Sequence, residues 1–116
     1  LEAHMKRFSY AFQGMLVLII KDHKFLLHLL LALIVIIAGF TFKINEVEWL
    51  FIIISIGLVL AFEAINTAVE YVVDLVTNEY HVLAKNAKDV AAFSVVLASL
   101  VALVIGLIIF LPYVFK

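Results

Sequence analysis

We predict an all-α integral membrane protein made of an amphipathic surface helix followed by three transmembrane helices. The 116 residues are 67% hydrophobic and only 15% charged, whereas a soluble domain is about half apolar and about a quarter charged. A mean hydropathy of +1.25 reflects more apolar surface than one small core can bury. Three apolar runs separated by short polar turns complete the pattern. The solvent for most of this chain is therefore lipid.

The N-terminal segment predicts a helix that lies on the membrane. Residues 1–4 read as the remnant of a cloning junction and are left out of the interpretation. From Phe8 and Phe12 onward, apolar side chains recur at helical spacing with polar ones between them. This pattern is typical of an amphipathic helix in the headgroup region, which we place over residues 5–24. The alternative is the first buried turn of a longer helix, because residues 16–20 are apolar all round.

Three longer runs predict the membrane spans. The first covers residues 25–42. The second begins at Trp49 and continues without proline as far as Asp74, so it is long enough to cross and then protrude. The third, residues 90–115, carries no charge at all. About 20 apolar residues cross a bilayer, and the short turns between the runs allow only antiparallel neighbours. We therefore expect one core, residues 25–116, with an up-down-up course.

The distribution of basic residues predicts the orientation. Six of them fall on one side of the spans and two on the other. They are Lys6, Arg7, Lys21, Lys24, Lys85 and Lys88, against Lys43 and Lys116. The positive-inside rule then puts the N-terminus in the cytoplasm and the C-terminus outside. The basic residues form no continuous stripe, so nucleic acid is not an expected partner.

The second span carries a polar stripe where its apolar run ends. Its members are Glu63, Asn66, Thr67, Glu70 and Asp74. At about 100° per residue they fall within an arc of about 100° on one helix face. Carboxylates at membrane depth are costly and usually mark a functional site. Two plainer interpretations remain open: a polar seam that joins helices, or, for Asp74 above all, the charged face of a helix that emerges into water.

Two further polar clusters fall on the same side of the membrane as this stripe. They are residues 21–24 before the first span and residues 78–89 before the third. Carboxylates with nearby lysines suit a divalent cation and a phosphate, because hard oxygens hold Mg²⁺ and ammonium groups offset the remaining charge. The histidines His23, His28 and His81 lack the spacing of a zinc-binding helix, and we interpret them as packed residues or polar tips.

The segment from Glu63 to Asp74, EAINTAVEYVVD, closely resembles the signature of the prokaryotic membrane lipid kinases, the family of diacylglycerol and undecaprenol kinases. The resemblance continues through residues 10–14, 79–81 and 87–92. It implies a homotrimer in the bacterial cytoplasmic membrane. It also implies transfer of the γ-phosphate of ATP, as its Mg²⁺ complex, to the hydroxyl of a membrane lipid on the cytoplasmic side.

The resemblance also implies roles for individual residues. Glu63 corresponds to the general base, and Glu70 with Asp22 to the pair that holds the nucleotide's Mg²⁺. Lys88 corresponds to the lysine that contacts the phosphates, and Asp89 to the residue that holds this lysine. The other nucleotide contacts implied are Tyr10, Glu79 and His81, with Asn66, Thr67 and Asp74 as supporting polar residues.

The lipid substrate is the least determined part of this interpretation. Asp22 stands where the family usually has glutamate, and its shorter side chain reaches less far. The stretch Phe25-Leu26-Leu27-His28 is more similar to the Phe-Arg-Ile-His of undecaprenol kinases than to the Phe-Arg-Gln-Glu of diacylglycerol kinases. We therefore favour undecaprenol, with diacylglycerol as the alternative. A small ion-coupled or purely structural membrane protein is the alternative from another class, although a relay needs ionisable groups on further spans.

Overall fold

The computed structural model describes residues 1–116 and contains four helices. They are α1 (Glu2–Lys21), α2 (His23–Phe42), α3 (Glu46–Val76) and α4 (Val82–Val114). The last three are long and apolar enough to cross a membrane. The prediction of an all-helical protein with three candidate spans is confirmed.

Helix α1 ends earlier than the predicted residue 24. Asp22 has an extended backbone, with φ −108° and ψ 99°, and stands between α1 and α2 as the cap of both. Its side chain accepts hydrogen bonds from the first backbone N–H groups of α2, which is the role an aspartate favours at a helix N-terminus. The chain therefore turns sharply at Asp22. We call this residue the elbow between α1 and α2.

Both long helices begin before their apolar runs. Helix α3 begins at Glu46 because Asn45 and Glu48 form a reciprocal capping box. Helix α4 begins at Val82, eight residues ahead of the predicted span, because His81 Nδ1 accepts a hydrogen bond of 3.0 Å from the backbone N–H of Leu83. The polar residues near the start of α4 therefore lie on a rigid helix and not in a loop.

The three long helices form antiparallel hairpins in which α3 packs along α4 and, less extensively, against α2. Helix α1 contacts α2 but contributes no buried residue. Its apolar side chains Phe8 and Phe12 are 75% and 58% exposed. An exposed apolar face of this kind fits a helix lying against lipid.

The apolar core lies at one end of the molecule, which we call the hairpin end, where α2 turns into α3 and α4 finishes. Its buried residues are Ile44, Ile52 and Ile109, the isoleucine cluster. Beside it, the Trp49 ring lies against Gly39 so closely that a Cβ at Gly39 would be 2.6 Å from Cη2. The opposite end, where α1 meets α2 and α3 meets α4, holds most of the buried polar side chains. We call it the carboxylate end.

Candidate active site

The polar stripe of α3 runs from the protein interior towards water. Glu63 and Asn66 are 2% exposed, Thr67 is also buried, Glu70 is half-buried and Asp74 is exposed. The carboxylate of Glu63 therefore faces the protein and not the lipid. The interpretation as an ordinary charged face holds for Asp74 and fails for Glu63 and Asn66.

The elbow residue Asp22 is bonded to α3. Its Oδ1 accepts hydrogen bonds from the backbone N–H groups of Lys24, at 3.0 Å, and Phe25, at 3.2 Å. Its Oδ2 accepts a hydrogen bond of 2.5 Å from the hydroxyl of Thr67. With 7% of its surface exposed, Asp22 is a buried carboxylate whose two oxygens both have partners.

Glu63 lies between a hydroxyl and an imidazole. Its Oε2 is 3.3 Å from Thr67 Oγ1, and its Oε1 is 4.0 Å from His28 Nε2 on α2. Sequence reasoning interpreted His28 as a packed or tip residue, because spacing within one helix cannot reveal a partner on another. The signal available was that His28 is the one ionisable side chain inside the first predicted span. The structure brings it to the expected base.

Glu70 is paired but retains coordinating capacity. Its Oε1 accepts hydrogen bonds from Lys24 Nζ, at 3.1 Å, and Asn66 Nδ2, at 3.4 Å. Both of these bonds use Oε1 and neither uses Oε2, and the buried Oδ1 of Asn66 has no hydrogen-bond partner. We call Asp22, Glu63, Asn66, Thr67 and Glu70 the carboxylate cluster.

Glu70 Oε2 and Asn66 Oδ1 belong to residues one helical turn apart, and both are oxygen atoms, the ligand type that Mg²⁺ takes. Mg²⁺ binds proteins through one or two carboxylates, with substrate phosphates and water as its other ligands. No three Asp, Glu or His side chains converge as they would in a closed metal cage. A site of the open type, completed by a nucleotide, is the kind that Glu70 and Asn66 can provide.

A second group of charges joins α4 to the exposed end of the stripe. Lys88 Nζ lies 2.6 Å from Asp74 Oδ1, and Lys85 Nζ lies 2.6 Å from Asp89 Oδ2. The resemblance implied that Asp89 holds Lys88, but the partner of Lys88 is Asp74. Neighbours in sequence point about 100° apart around a helix, whereas residues four apart share a face. Lys88 therefore lies at the carboxylate end, as the interpretation requires.

The other expected nucleotide contacts lie at the surface. Tyr10 on α1 is 66% exposed, and Glu79 is an exposed residue of the loop between α3 and α4. His81 uses its Nδ1 to cap α4. Within one chain none of the three is hydrogen-bonded to Glu63 or Glu70. All three side chains are exposed, and Glu79 and His81 directly precede α4, which carries Lys88.

The fold and this cluster define a membrane-spanning helical protein with a polar site at the end of its apolar helices. The family model described as prokaryotic diacylglycerol kinase matches residues 9–110. Undecaprenol kinase of Bacillus subtilis is 38% identical over 112 residues, which cover 97% of this chain and 91% of that protein. The chain belongs to the prokaryotic diacylglycerol kinase family and is a lipid kinase, as its signature segment predicted.

Two further relatives are named for diacylglycerol as the substrate. Diacylglycerol kinase of Synechocystis sp. is 35% identical over 106 residues, which cover 90% of this chain and 61% of that protein. Diacylglycerol kinase of Escherichia coli is 28% identical over 100 residues, covering 86% and 82%. The similarity therefore includes relatives named for either lipid.

Proposed function

We propose that this protein transfers the γ-phosphoryl group of ATP to the hydroxyl of undecaprenol at the cytoplasmic face of a bacterial membrane. The observation that carries the proposal is the buried carboxylate of Glu63 beside an apolar groove. The groove has a volume of about 580 Å³ and lies between α1 and α3. Thr67, which lies 3.3 Å from Glu63, forms part of its wall. An apolar chain in this groove would bring its polar end to Glu63.

In this mechanism Glu63 accepts the proton of the lipid hydroxyl while the hydroxyl oxygen attacks the γ-phosphorus in line. The groove supplies the alignment, because its walls on α1 and α3 hold the lipid chain along one direction. Phosphoryl transfer depends mainly on such positioning and on neutralising charge. No covalent enzyme intermediate is required. A positioned carboxylate base of this kind contributes about 10²–10⁴ in rate.

The positive charge of Mg²⁺, bound together with ATP, would offset the negative charge of the phosphates. We propose that Glu70 holds this ion through Oε2, with Asn66 Oδ1 beside it, and that Lys24 and Lys88 offset the phosphate charge. Tyr10, Glu79, His81 and Asp89 would contact the rest of the nucleotide. Asp22, the other ligand implied by the resemblance, already has partners on both oxygens.

The preference for undecaprenol has two supports. The relative from Bacillus subtilis that carries this substrate in its name shares 38% identity over nearly the whole chain. The residue that distinguishes the two branches in sequence, His28, lies 4.0 Å from Glu63, where it would meet the acceptor's head. Diacylglycerol is the second candidate, since it is the substrate named for the other relatives.

The orientation and assembly complete the proposal. We place the carboxylate end in the cytoplasm, since most basic residues lie there. We also propose a homotrimer. A second apolar groove of about 570 Å³ runs between α3 and α4, with Phe62, Ile65 and Val90 among its walls, and a neighbouring subunit would cover it.

The test is phosphorylation of both alcohols by the purified protein in one detergent. Undecaprenol and dioleoylglycerol are supplied at equal mole fraction with γ-labelled ATP and Mg²⁺, and Glu63→Gln serves as the inactive control. We expect label on undecaprenol. Label only on the diacylglycerol would establish the alternative substrate. No labelled lipid with either alcohol, in protein that still binds ATP, would refute the kinase proposal.

A further inference from the structure

We propose that Asp22 is a clamp that fixes the elbow onto α3 and orients Thr67 beside Glu63, and that it is not a ligand of the Mg²⁺ ion. The proposal rests on the proposed function in so far as Glu63 is the base. It begins from the carboxylate's surroundings. Asp22 is 7% exposed and accepts three hydrogen bonds, two from α2 and one from α3.

The first part of the clamp is a helix cap. The backbone of Asp22 is extended and its Oδ1 accepts from the N–H groups of Lys24 and Phe25. Aspartate and asparagine are favoured at this position because their short side chains fold back onto the first turn. A glutamate is one methylene longer, so its carboxylate reaches past these donors. The aspartate at this position therefore suits the cap better than the glutamate usual in the family.

The second part of the clamp controls the direction of one proton. The hydroxyl of Thr67 has a single hydrogen, and its 2.5 Å contact with Asp22 Oδ2 uses it. Towards Glu63 Oε2, at 3.3 Å, the same hydroxyl then presents only a lone pair. Glu63 is thereby left without this donor before the reaction. After it has taken the proton from the lipid hydroxyl, it has an acceptor 3.3 Å away.

The phosphoryl transfer changes three bonds and moves one proton. The O–H bond of the lipid breaks as its oxygen bonds to the γ-phosphorus, the bond from that phosphorus to the β-bridging oxygen breaks, and the lipid's proton moves to the Glu63 carboxylate. The Thr67 proton remains on Thr67 throughout. Asp22 takes no part in the bonds that change and acts only through Thr67.

The clamp also positions the lysine beside the proposed cation site. The backbone N–H of Lys24 donates a hydrogen bond to Asp22 Oδ1, and its Nζ donates one to Glu70 Oε1. The elbow thus holds Lys24 beside Glu70 Oε1, while the bonds to Glu70 leave Oε2 unused and Asn66 Oδ1 has no partner. Turning Asp22 towards a cation at Glu70 would release Thr67 and uncap α2. The free oxygens on α3 are available without that loss.

Metal binding by the full-length protein in detergent tests the first half of the proposal. The affinity for Mn²⁺, used in place of Mg²⁺ with ATP, is measured by electron paramagnetic resonance for Asp22→Asn and Glu70→Gln. Asparagine caps a helix as well as aspartate, so we expect Asp22→Asn to bind Mn²⁺ within about twofold of the parent. Glu70→Gln should bind it about tenfold or more weakly, by analogy with the 10–100-fold losses from changes near a metal. Equal weakening in the two variants would overturn the proposal.

Kinetics test the second half. Thr67→Val keeps the shape of the side chain and removes the hydroxyl, whereas Thr67→Ser restores it. We expect Thr67→Val to lower kcat by about tenfold, the equivalent of one hydrogen bond to a charged group, and to leave the KM for Mg·ATP within about twofold. Thr67→Ser should recover most of kcat. A serine variant as slow as the valine variant would contradict the role of the hydroxyl.

A double-mutant cycle links the two residues. Asp22→Ala and Thr67→Val remove opposite sides of one contact, so their effects on kcat should overlap and not multiply. Multiplying effects would overturn the clamp. If Asp22→Ala fails to fold, the cycle is run with Asp22→Asn. Its effect on kcat is likewise expected to overlap with that of Thr67→Val. Failure of the proposed function is recognised separately. Full turnover by Glu63→Gln would refute the assignment of Glu63 as the base, but it would not change the Mn²⁺ result for Asp22.

Discussion

The two ends of the helical hairpins are held together by different interactions. At the hairpin end three buried isoleucines, on α3, on α4 and in the turn between α2 and α3, pack together. The Phe42 ring lies tilted against the rings of Phe110 and Tyr113, with centroids 6.1 Å and 6.0 Å away. At the carboxylate end the contacts between helices are hydrogen bonds and ion pairs: Asp22 with Thr67, Lys24 with Glu70 and Lys88 with Asp74. Four of the five buried polar residues lie there.

This difference separates stability from chemistry along the length of the same helices. In lipid, apolar side chains gain little from leaving one apolar environment for another, so tight packing and polar contacts determine how helices associate. The hairpin end uses mainly close packing, as between Trp49 and Gly39, with one hydrogen bond between α3 and α4, which the Tyr113 hydroxyl donates to Glu48 Oε1 at 2.5 Å. The carboxylate end uses polar contacts and leaves one buried oxygen, Asn66 Oδ1, without a partner. Substitutions at the two ends should therefore affect different measurements.

The largest effect is expected for Glu63→Gln at the carboxylate end. It removes the proposed base with almost no change in shape, so turnover should fall by about 10²–10⁴. The temperature of thermal unfolding in detergent, followed by the loss of helical circular dichroism, should stay near that of the parent. Phosphorylation rate and thermal unfolding are measured on the same preparation. Retained turnover would show that another group accepts the lipid's proton.

Gly39→Ala tests the hairpin end. The new Cβ would lie 2.6 Å from Trp49 Cη2 and 2.8 Å from Cζ2, so the ring must shift. Overpacking of this kind costs about 1–3 kcal/mol. We expect lower thermal stability and unchanged turnover for each folded molecule. Gly106→Ala is the matched control, because nothing lies within 4 Å of the position that its new methyl group would take. Equal stability of the two alanine variants would contradict the packing argument.

Two lysines on α4, Lys85 and Lys88, differ in their ion-pair partners and allow a comparison within the carboxylate end. Lys88 pairs with Asp74 on α3, whereas Lys85 pairs with Asp89 one turn away on its own helix. Of the two lysines on α4, only Lys88 is expected to contact the phosphates, so Lys88→Ala should raise the KM for ATP by about tenfold, the equivalent of one charge-assisted contact. Lys85→Ala should change it by less than about twofold, since exposed i,i+4 pairs contribute little. Similar KM values for the two variants would remove Lys88 from the nucleotide site.

The smallest expected effect concerns substrate choice. Replacing His28 with glutamate puts a carboxylate beside Glu63, as in the sequence of the diacylglycerol branch. We expect the ratio of kcat/KM for undecaprenol to that for dioleoylglycerol to fall about threefold to tenfold, within the range that one side-chain contact can supply. His28→Gln, which keeps a polar uncharged group, is the control. An unchanged ratio in both variants would place the determinant elsewhere, with the groove between α1 and α3 as the next candidate.

The sequence alone was sufficient for which segments are long apolar helices and for which side chains share a face of one helix. Apolar run length predicted α2, α3 and α4, and the 3.6-residue period put Glu63, Asn66 and Thr67 on one face, which the structure buries. Capping was less visible. The early start of α4 depends on His81, whose bond to Leu83 has no signal in hydropathy.

Contacts between helices required the tertiary structure. That Asp22 bonds to Thr67, that His28 faces Glu63 and that Asp74 holds Lys88 depends on how each helix is rotated and on the depth at which it packs. Hydropathy determines that a helix crosses the membrane, but it is nearly the same for every rotation of a helix that is apolar all round. Packing and the pairing of polar groups select one rotation, and they act only when all the helices are present.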